Sequence, residues 1–130
     1  MVIDSSALIA LLLGEPEAES LAREIASDPR RMISAFTAWE TGVVIETKKG
    51  EVGGREFDLL LHNARIEIVA MNAEQVEFAR NAWRTFGKGR HPAGLNIGDC
   101  CSYGLARYSG EPLLFKGKDL AKTDIPPVSF

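Results

Sequence analysis

Short apolar runs and longer segments with a three-to-four-residue apolar rhythm alternate along this chain, the pattern of strands interleaved with helices. Val2 and Ile3 lead into Asp4 as a first strand, residues 2–4, and a helix follows over about residues 6–13, ending at Gly14. Pro16 opens a second helix that runs to about Ser27, Asp28-Pro29 turns the chain, and residues 31–34 read as a second strand. The rhythm then predicts a helix over 38–48, with lysines in its last turn and Gly50 beyond it, and another over 55–64. Residues 66–70 form a third strand. Residues 73–86 are helical, with Val76, Phe78, Ala79, Ala82, Trp83 and Phe86 broadly along one side. A glycine-rich basic loop over 87–94 precedes a helix over 97–108, capped by Asn96 and closed by Ser109-Gly110. Residues 112–115 are a fourth strand, and the tail 126–130 is either a short edge strand or a cover. Strands separated by helices predict a three-layer α/β/α fold on a central, mostly parallel sheet of four or five strands. Ligand sites in such a sheet lie at the carboxyl ends of the strands.

Length and composition narrow this picture modestly. The 130 residues fit one domain, 1–130, and the 45% hydrophobic and 25% charged content is that of a soluble globular protein. The apolar stretch 7–13 is far shorter than the roughly 20 residues a membrane span needs. Strand-like sequence from residue 2 leaves no room for a basic leader, so a cytoplasmic location is expected. Cys100 and Cys101 are adjacent, which suits neither an ordinary disulfide nor a zinc site, and they are expected to be buried thiols. The net charge of −3 is a mild objection to a nucleic-acid partner. Bound divalent cations would offset it, and the basic residues are grouped, at Lys88, Arg90 and His91 and again at Lys116 and Lys118.

The acidic residues change the picture more. Asp4 ends the first strand next to the core, where an uncompensated carboxylate costs several kcal/mol. Glu40 follows the second strand, Asp119 follows the fourth, and Asp99 opens the last helix. Each has a plain structural reading. Asp4 can cap a helix, Thr37 and Glu40 fit a capping box, Asn96 and Asp99 resemble one, and Asp119 can belong to a turn. Against that, Glu40 falls at helical spacing from Phe36, Val43 and Val44, in an apolar stripe, and Gly98 beside Asp99 allows a close approach. Carboxylates without histidine or cysteine suit magnesium or manganese. His62 and His91 are assigned no role, and Trp39, Trp83 and Phe86 are expected to face the core.

Three segments carry a resemblance. Val-Ile-Asp-Ser-Ser-Ala-Leu-Ile-Ala at 2–10, Gly-Lys-Gly-Arg-His-Pro-Ala-Gly-Leu-Asn-Ile-Gly-Asp-Cys at 87–100, and Pro-Leu-Leu-Phe-Lys-Gly-Lys-Asp-Leu-Ala-Lys-Thr-Asp at 112–124 resemble the PIN-domain family, specifically its VapC-type toxins. The resemblance implies a metal-dependent endoribonuclease acting on structured RNA, either transfer or ribosomal. It also implies an antitoxin that covers the site, and a homodimer. The acidic metal ligands would correspond to Asp4, Glu40, Asp99 and Asp119, with magnesium first and manganese possible. In the third segment Lys118 stands where a further acid is usual and Leu120 replaces an aromatic, so Asp124 rivals Asp119. Ser6 and Thr37 could hold carboxylates by hydrogen bonds. The basic residues would hold the RNA backbone. A catalytically silent binding module on the same fold and a magnesium-dependent phosphatase are the competing readings. Four retained acids oppose the first, and the second is opposed by the missing aspartate two residues after Asp4.

Overall fold

The strands are built by the two-residue alternation of the pleat, which sends successive side chains to opposite faces. The computed structural model describes residues 1–130. Its elements in chain order are β1 (Val2–Ile3), α1 (Ser5–Leu12), α2 (Ala18–Ser27), β2 (Arg31–Ser34), α3 (Ala35–Asn63), β3 (Ile66–Val69), α4 (Ala73–Phe86), α5 (Ile97–Ser109), β4 (Leu113–Leu114) and a 3-10 helix (Leu120–Lys122). The sheet order is β3-β2-β1-β4 and every pairing is parallel, with Val2 opposite both Met32 and Leu113. Val2, Met32 and Leu113 enter one core with α4 and α5. Ile3, Ile33 and Leu114, one residue further along each strand, enter a second core with Leu8, Leu21, Ile25 and Phe57. Helices therefore cover both faces, giving the expected three layers. The tail contributes one parallel bridge, Leu113 with Pro127, held by Leu113 N–H to Pro126 O and Val128 N–H to Leu113 O. It is a rudimentary fifth strand. No helix is long and apolar enough to cross a membrane.

Three expectations need correction. The helix expected over 38–48 begins at Ala35, capped by the Ser34 side chain on the Phe36 N–H. Thr37 is therefore inside the helix and caps nothing. The helix also continues past Gly50 as a second arm, which the glycine-rich sequence at 50–54 had placed no earlier than residue 55. Gly50 bends the chain at φ 66°, ψ −158°, a conformation that favours glycine, and Gly53 lets the second arm pass close to Ile45.

The third correction concerns which helix faces point inward. On the first arm of α3 the buried positions are Thr37, Thr41 and Ile45, while Trp39 is 68% exposed and Val43 is exposed as well. On α4 they are Gln75, Ala79 and Ala82, and Trp83 is 43% exposed; of the three aromatics expected inside, only Phe86 packs against the core. The cause is the closeness of α4 to α5. A side-chain carbon added at Gly104 would stand 2.8 Å from Gln75 O and 3.3 Å from the Ala79 side chain, so small residues fill this contact and an indole does not fit.

Candidate active site

Parallel strands deliver their carboxyl ends to one edge, and the chain runs from β1 to β2 and β3 on one side before crossing back to β4 on the other. The gap between those two directions is where such sheets bind ligands. There Asp4, directly after β1, faces the segment after β4, across a cavity of about 180 Å³ lined by Asp4, Ser6, Asn96, Asp99 and residues 116–120.

Asp4 is 2% exposed, and hydrogen bonds compensate its burial. Its Oδ2 accepts from the Ser6 N–H at 3.0 Å and the Ser6 hydroxyl at 2.7 Å. Its Oδ1 accepts from the Ser102 hydroxyl at 2.6 Å. Thr37 Oγ1 lies 3.3 Å from Ser102 Oγ. Ser102 has one proton and commits it to Asp4, so Thr37 is the donor in that pair and the order is Thr37 to Ser102 to Asp4. Ser6 holds the carboxylate directly, as expected, and its hydroxyl also accepts from the Lys116 N–H, tying β4's exit to α1. Thr37 acts one bond removed. Ser102 went unrecognised in the sequence; its one signal is a small hydroxyl three residues after Asp99 on a helix whose neighbours are otherwise apolar.

Glu40 arrives from the second turn of α3 and meets the backbone of α5 at Gly98. A side-chain carbon there would be 2.6 Å from Glu40 Oε2 and 2.7 Å from Oε1, so only glycine leaves the carboxylate room. Glu40 Oε1 is buried with no hydrogen-bond partner. Burial raises its pKa, the Ser5 hydroxyl opposes this without a bond of normal geometry, and Asp4 raises it further. Glu40 thus approaches the site, although the apolar stripe that pointed to it is not the buried face of α3.

Asp99 does two things at once. It closes a capping box, with Asp99 N–H donating to Asn96 Oδ1 at 2.8 Å and Asp99 Oδ2 accepting from Asn96 N–H at 3.0 Å. It also lines the cavity. Its carboxyl is pushed up to about 6, first by burial, against the Asn96 hydrogen bond, and then by Asp4, Asp119 and Glu40. Those three neighbours are the other three acids, so the fold brings all four into electrostatic contact. Asp119 is exposed on the cavity rim and caps nothing with its side chain. Asp124 is engaged elsewhere, accepting from Tyr103 OH at 2.7 Å and from Arg107. The geometry thus sets Asp119, and not its rival, beside the cavity.

The basic groups divide. Lys118 is exposed at the cavity. Lys116 also lines it, but its ammonium is held by Glu15 and Glu17. His91 accepts from the Ala93 N–H and packs edge-on against Phe86, a structural role. Cys100 and Cys101 are buried, free thiols pushed up, mainly by burial, to about 12 and about 11, which keeps them protonated and unreactive at neutral pH.

A divalent cation fits this oxygen-only donor set. Glu40 Oε1 lacks a partner, and Asp99 resists ionisation among three other acids; a cation would relieve both. No three acidic groups are already drawn together as a chelate. Magnesium tolerates that, because it commonly uses one or two carboxylates and keeps several waters.

The PIN domain family model matches residues 1–126. Ribonuclease VapC30 of Mycobacterium tuberculosis is 55% identical over 129 residues, covering 99% of this chain and 98% of that protein. Among solved structures, M. tuberculosis VapC20, described as a sarcin-ricin loop cleaving toxin, superposes with a TM-score of 0.77 at 19% identity, covering 98% of this chain and 97% of that one. A toxin–antitoxin complex from Klebsiella pneumoniae gives 0.73 at 18% identity, covering 99% and 98%. Those two likenesses speak for the fold, while the end-to-end sequence match speaks for the family. By the family model and that end-to-end identity, this chain belongs to the PIN-domain family and, within it, to the VapC-type toxin ribonucleases.

Proposed function

We propose that this chain is a divalent-metal-dependent endoribonuclease, the toxin of a toxin–antitoxin pair, and that it cuts structured RNA of the transfer or ribosomal kind. The observation that supports the reading is the cavity lined by Asp4, Asp99 and Asp119, with Glu40 outside its lining but near enough to help raise Asp99 to about 6, and with a Glu40 oxygen left unpartnered. These four would hold the cation, magnesium first and manganese as a substitute. When bound, the cation supplies the charge that polarises a phosphate oxygen and makes water acidic enough to attack phosphorus.

The chain's own groups do the rest. Asp4 is locked by Ser6 and Ser102, so it gives the site a fixed edge. Glu40, with an oxygen that has no hydrogen-bond partner, and Asp99, which lines the cavity, are the acids placed to take the proton that water loses as it adds to phosphorus. One P–O ester bond breaks as the new one forms, and the departing oxygen takes a proton from solvent water, leaving a phosphate on one fragment and a hydroxyl on the other. Lys118 stands where it can meet a backbone phosphate.

The same reading gives the chain an antitoxin partner, a homodimeric state, a cytoplasmic location and one working domain over 1–130. A solved structure of similar fold described as a toxin–antitoxin complex supports the antitoxin partner. Incubation of purified protein with cellular RNA in magnesium, manganese or chelator is the test. Cutting is expected only with metal, and Asp4→Asn or Asp99→Asn should reduce it to background while the protein stays folded. Equal cutting in chelator would sink the metal reading. Co-purification from the native operon should bring down a small protein encoded next to this one.

A further inference from the structure

Asp119 stands at the cavity rim without a cap of its own, and the chain reaches it from β4 outside any strand or long helix. The segment that carries it is fixed on either side. Before it, Phe115 is buried in the core, and the Lys116 N–H donates at 3.0 Å to Ser6 Oγ, the hydroxyl that itself donates to Asp4. Gly117 then turns the chain at φ 107°, a conformation that favours glycine, and Leu120 is buried just beyond Asp119.

The Lys116 side chain makes a second attachment. Its ammonium is gripped by Glu15 and lies 3.2 Å from Glu17, two carboxylates of the turn between α1 and α2. That turn is stiff. Gly14 leaves α1 at φ 64°, Pro16 separates the two glutamates, and the Ala18 N–H donates back to Glu15 O at 2.9 Å. Because Asp4 caps α1, these bonds close a ring from Asp4 through Ser6, the backbone and side chain of Lys116, the glutamate turn and α1. The side chains of Lys116, Glu15 and Glu17 are 36%, 32% and 37% exposed, a setting in which ion pairs add little to global stability. Two carboxylates on one ammonium also leave the cluster negative, which does not attract a phosphate. Lys118, exposed at the cavity, is the lysine open to one.

We propose that Lys116 is a positioning residue of the ribonuclease site: held by Glu15 and Glu17, it fixes the segment that carries Asp119 at the cavity and does not itself bind RNA. The assignment rests on the ribonuclease reading, and it divides the two lysines that the sequence grouped, leaving the RNA backbone to Lys118.

Lys116→Met and the pair Glu15→Gln with Glu17→Gln each break the clamp from one side. Lys49→Met is the control, since it breaks an ion pair of similar exposure, with Glu56, outside the cavity lining. All these side chains are partly exposed, so folded proteins are expected. In chelator, amide hydrogen exchange across residues 115–120 should quicken in both clamp variants and stay parental in the control. Without RNA, the magnesium concentration giving half of the full rise in melting temperature should increase roughly tenfold in both, and kcat for cleavage should fall while KM holds. Lys116→Arg, whose fork can meet two carboxylates, should restore most of each.

Unchanged exchange over residues 115–120 overturns the proposal, and so does faster exchange that leaves the magnesium response and kcat at parental values. Opposite effects on RNA affinity in chelator, weaker for Lys116→Met and stronger for the glutamine pair, would make Lys116 a phosphate ligand kept back by the glutamates and overturn it as well. A parent that neither responds to magnesium nor cuts RNA sinks the ribonuclease reading instead, and the exchange result then still decides whether Lys116 holds the segment.

Discussion

Asp4 is the one acid of the four with both carboxylate oxygens occupied, and it depends for one of them on Ser102, 98 residues away in the chain. Ser102→Ala would leave Asp4 Oδ1 and the Thr37 hydroxyl without partners in a buried place. A cost of about 1–3 kcal/mol is expected, read by urea unfolding, together with slower cleavage. Gly98 is a different kind of dependence. A methyl group at Gly98→Ala would collide with both Glu40 oxygens and move that carboxylate, so cleavage should drop roughly a hundredfold in a kinetic assay. The cap made by Asn96 and Asp99 would persist, so thermal stability should change far less than activity. A variant that cuts normally would remove Glu40 from the site.

At the scale of elements, α3 is the informative case because it is two helical arms joined at Gly50. Its first arm presents Thr37, Thr41 and Ile45 inward and carries Glu40 to α5, whereas its second arm packs Phe57 into the other core. Gly50→Ala forces a side chain into φ 66°, ψ −158°, which costs of order 1–3 kcal/mol. Denaturant unfolding should show that loss. Metal-dependent cleavage by the folded fraction should be unchanged, because Gly50 lies at the bend and not among the cavity residues. The capping readings of the acids also belong to this scale. Asp4 and Asp99 do cap α1 and α5, and capping is how they are aimed; at these two positions a structural role and a place in the site coincide.

For the whole molecule, the acidic cluster makes metal-free stability depend on pH in a definite direction. The Asp99 carboxyl moves from an ordinary 3.8 to about 6 in the folded chain, so between those values the folded protein keeps a proton that the unfolded chain has released. Its contribution to stability is complete below about pH 3.8 and is lost as pH rises through about 6. In chelator the melting temperature of the parent should therefore lose this share between about pH 4 and pH 7, relative to Asp99→Asn, which has no such group to ionise. At pH 7.5 the variant should melt at or above the parent. Magnesium should reverse that order, raising the parent by several degrees and the variant hardly at all, since a ligand of the native state stabilises by mass action. A parent indifferent to magnesium, beside a variant that melts lower in chelator, would leave Asp99 as part of a helix cap alone.

The order of strands and helices, the parallel three-layer arrangement and the position of Asp4 at a strand end were legible in the sequence alone. They depend on local period, on caps such as Asn96 and on breakers such as Gly14 and Gly110, all of which act within a few residues. Tertiary structure alone decided which face of each helix is buried. Trp83 and Val76 carry the apolar signal on α4, yet the close approach of α4 and α5 at Gly104 admits only Gln75, Ala79 and Ala82. It also decided the partners of the acids. Ser102 reaches Asp4 from the far end of the chain, Gly98 makes room for Glu40, and Asp124 is taken by Tyr103 and Arg107 while Asp119 stays at the cavity. Periodicity reports that a helix has an apolar side; how near the neighbouring helix comes determines which side is used.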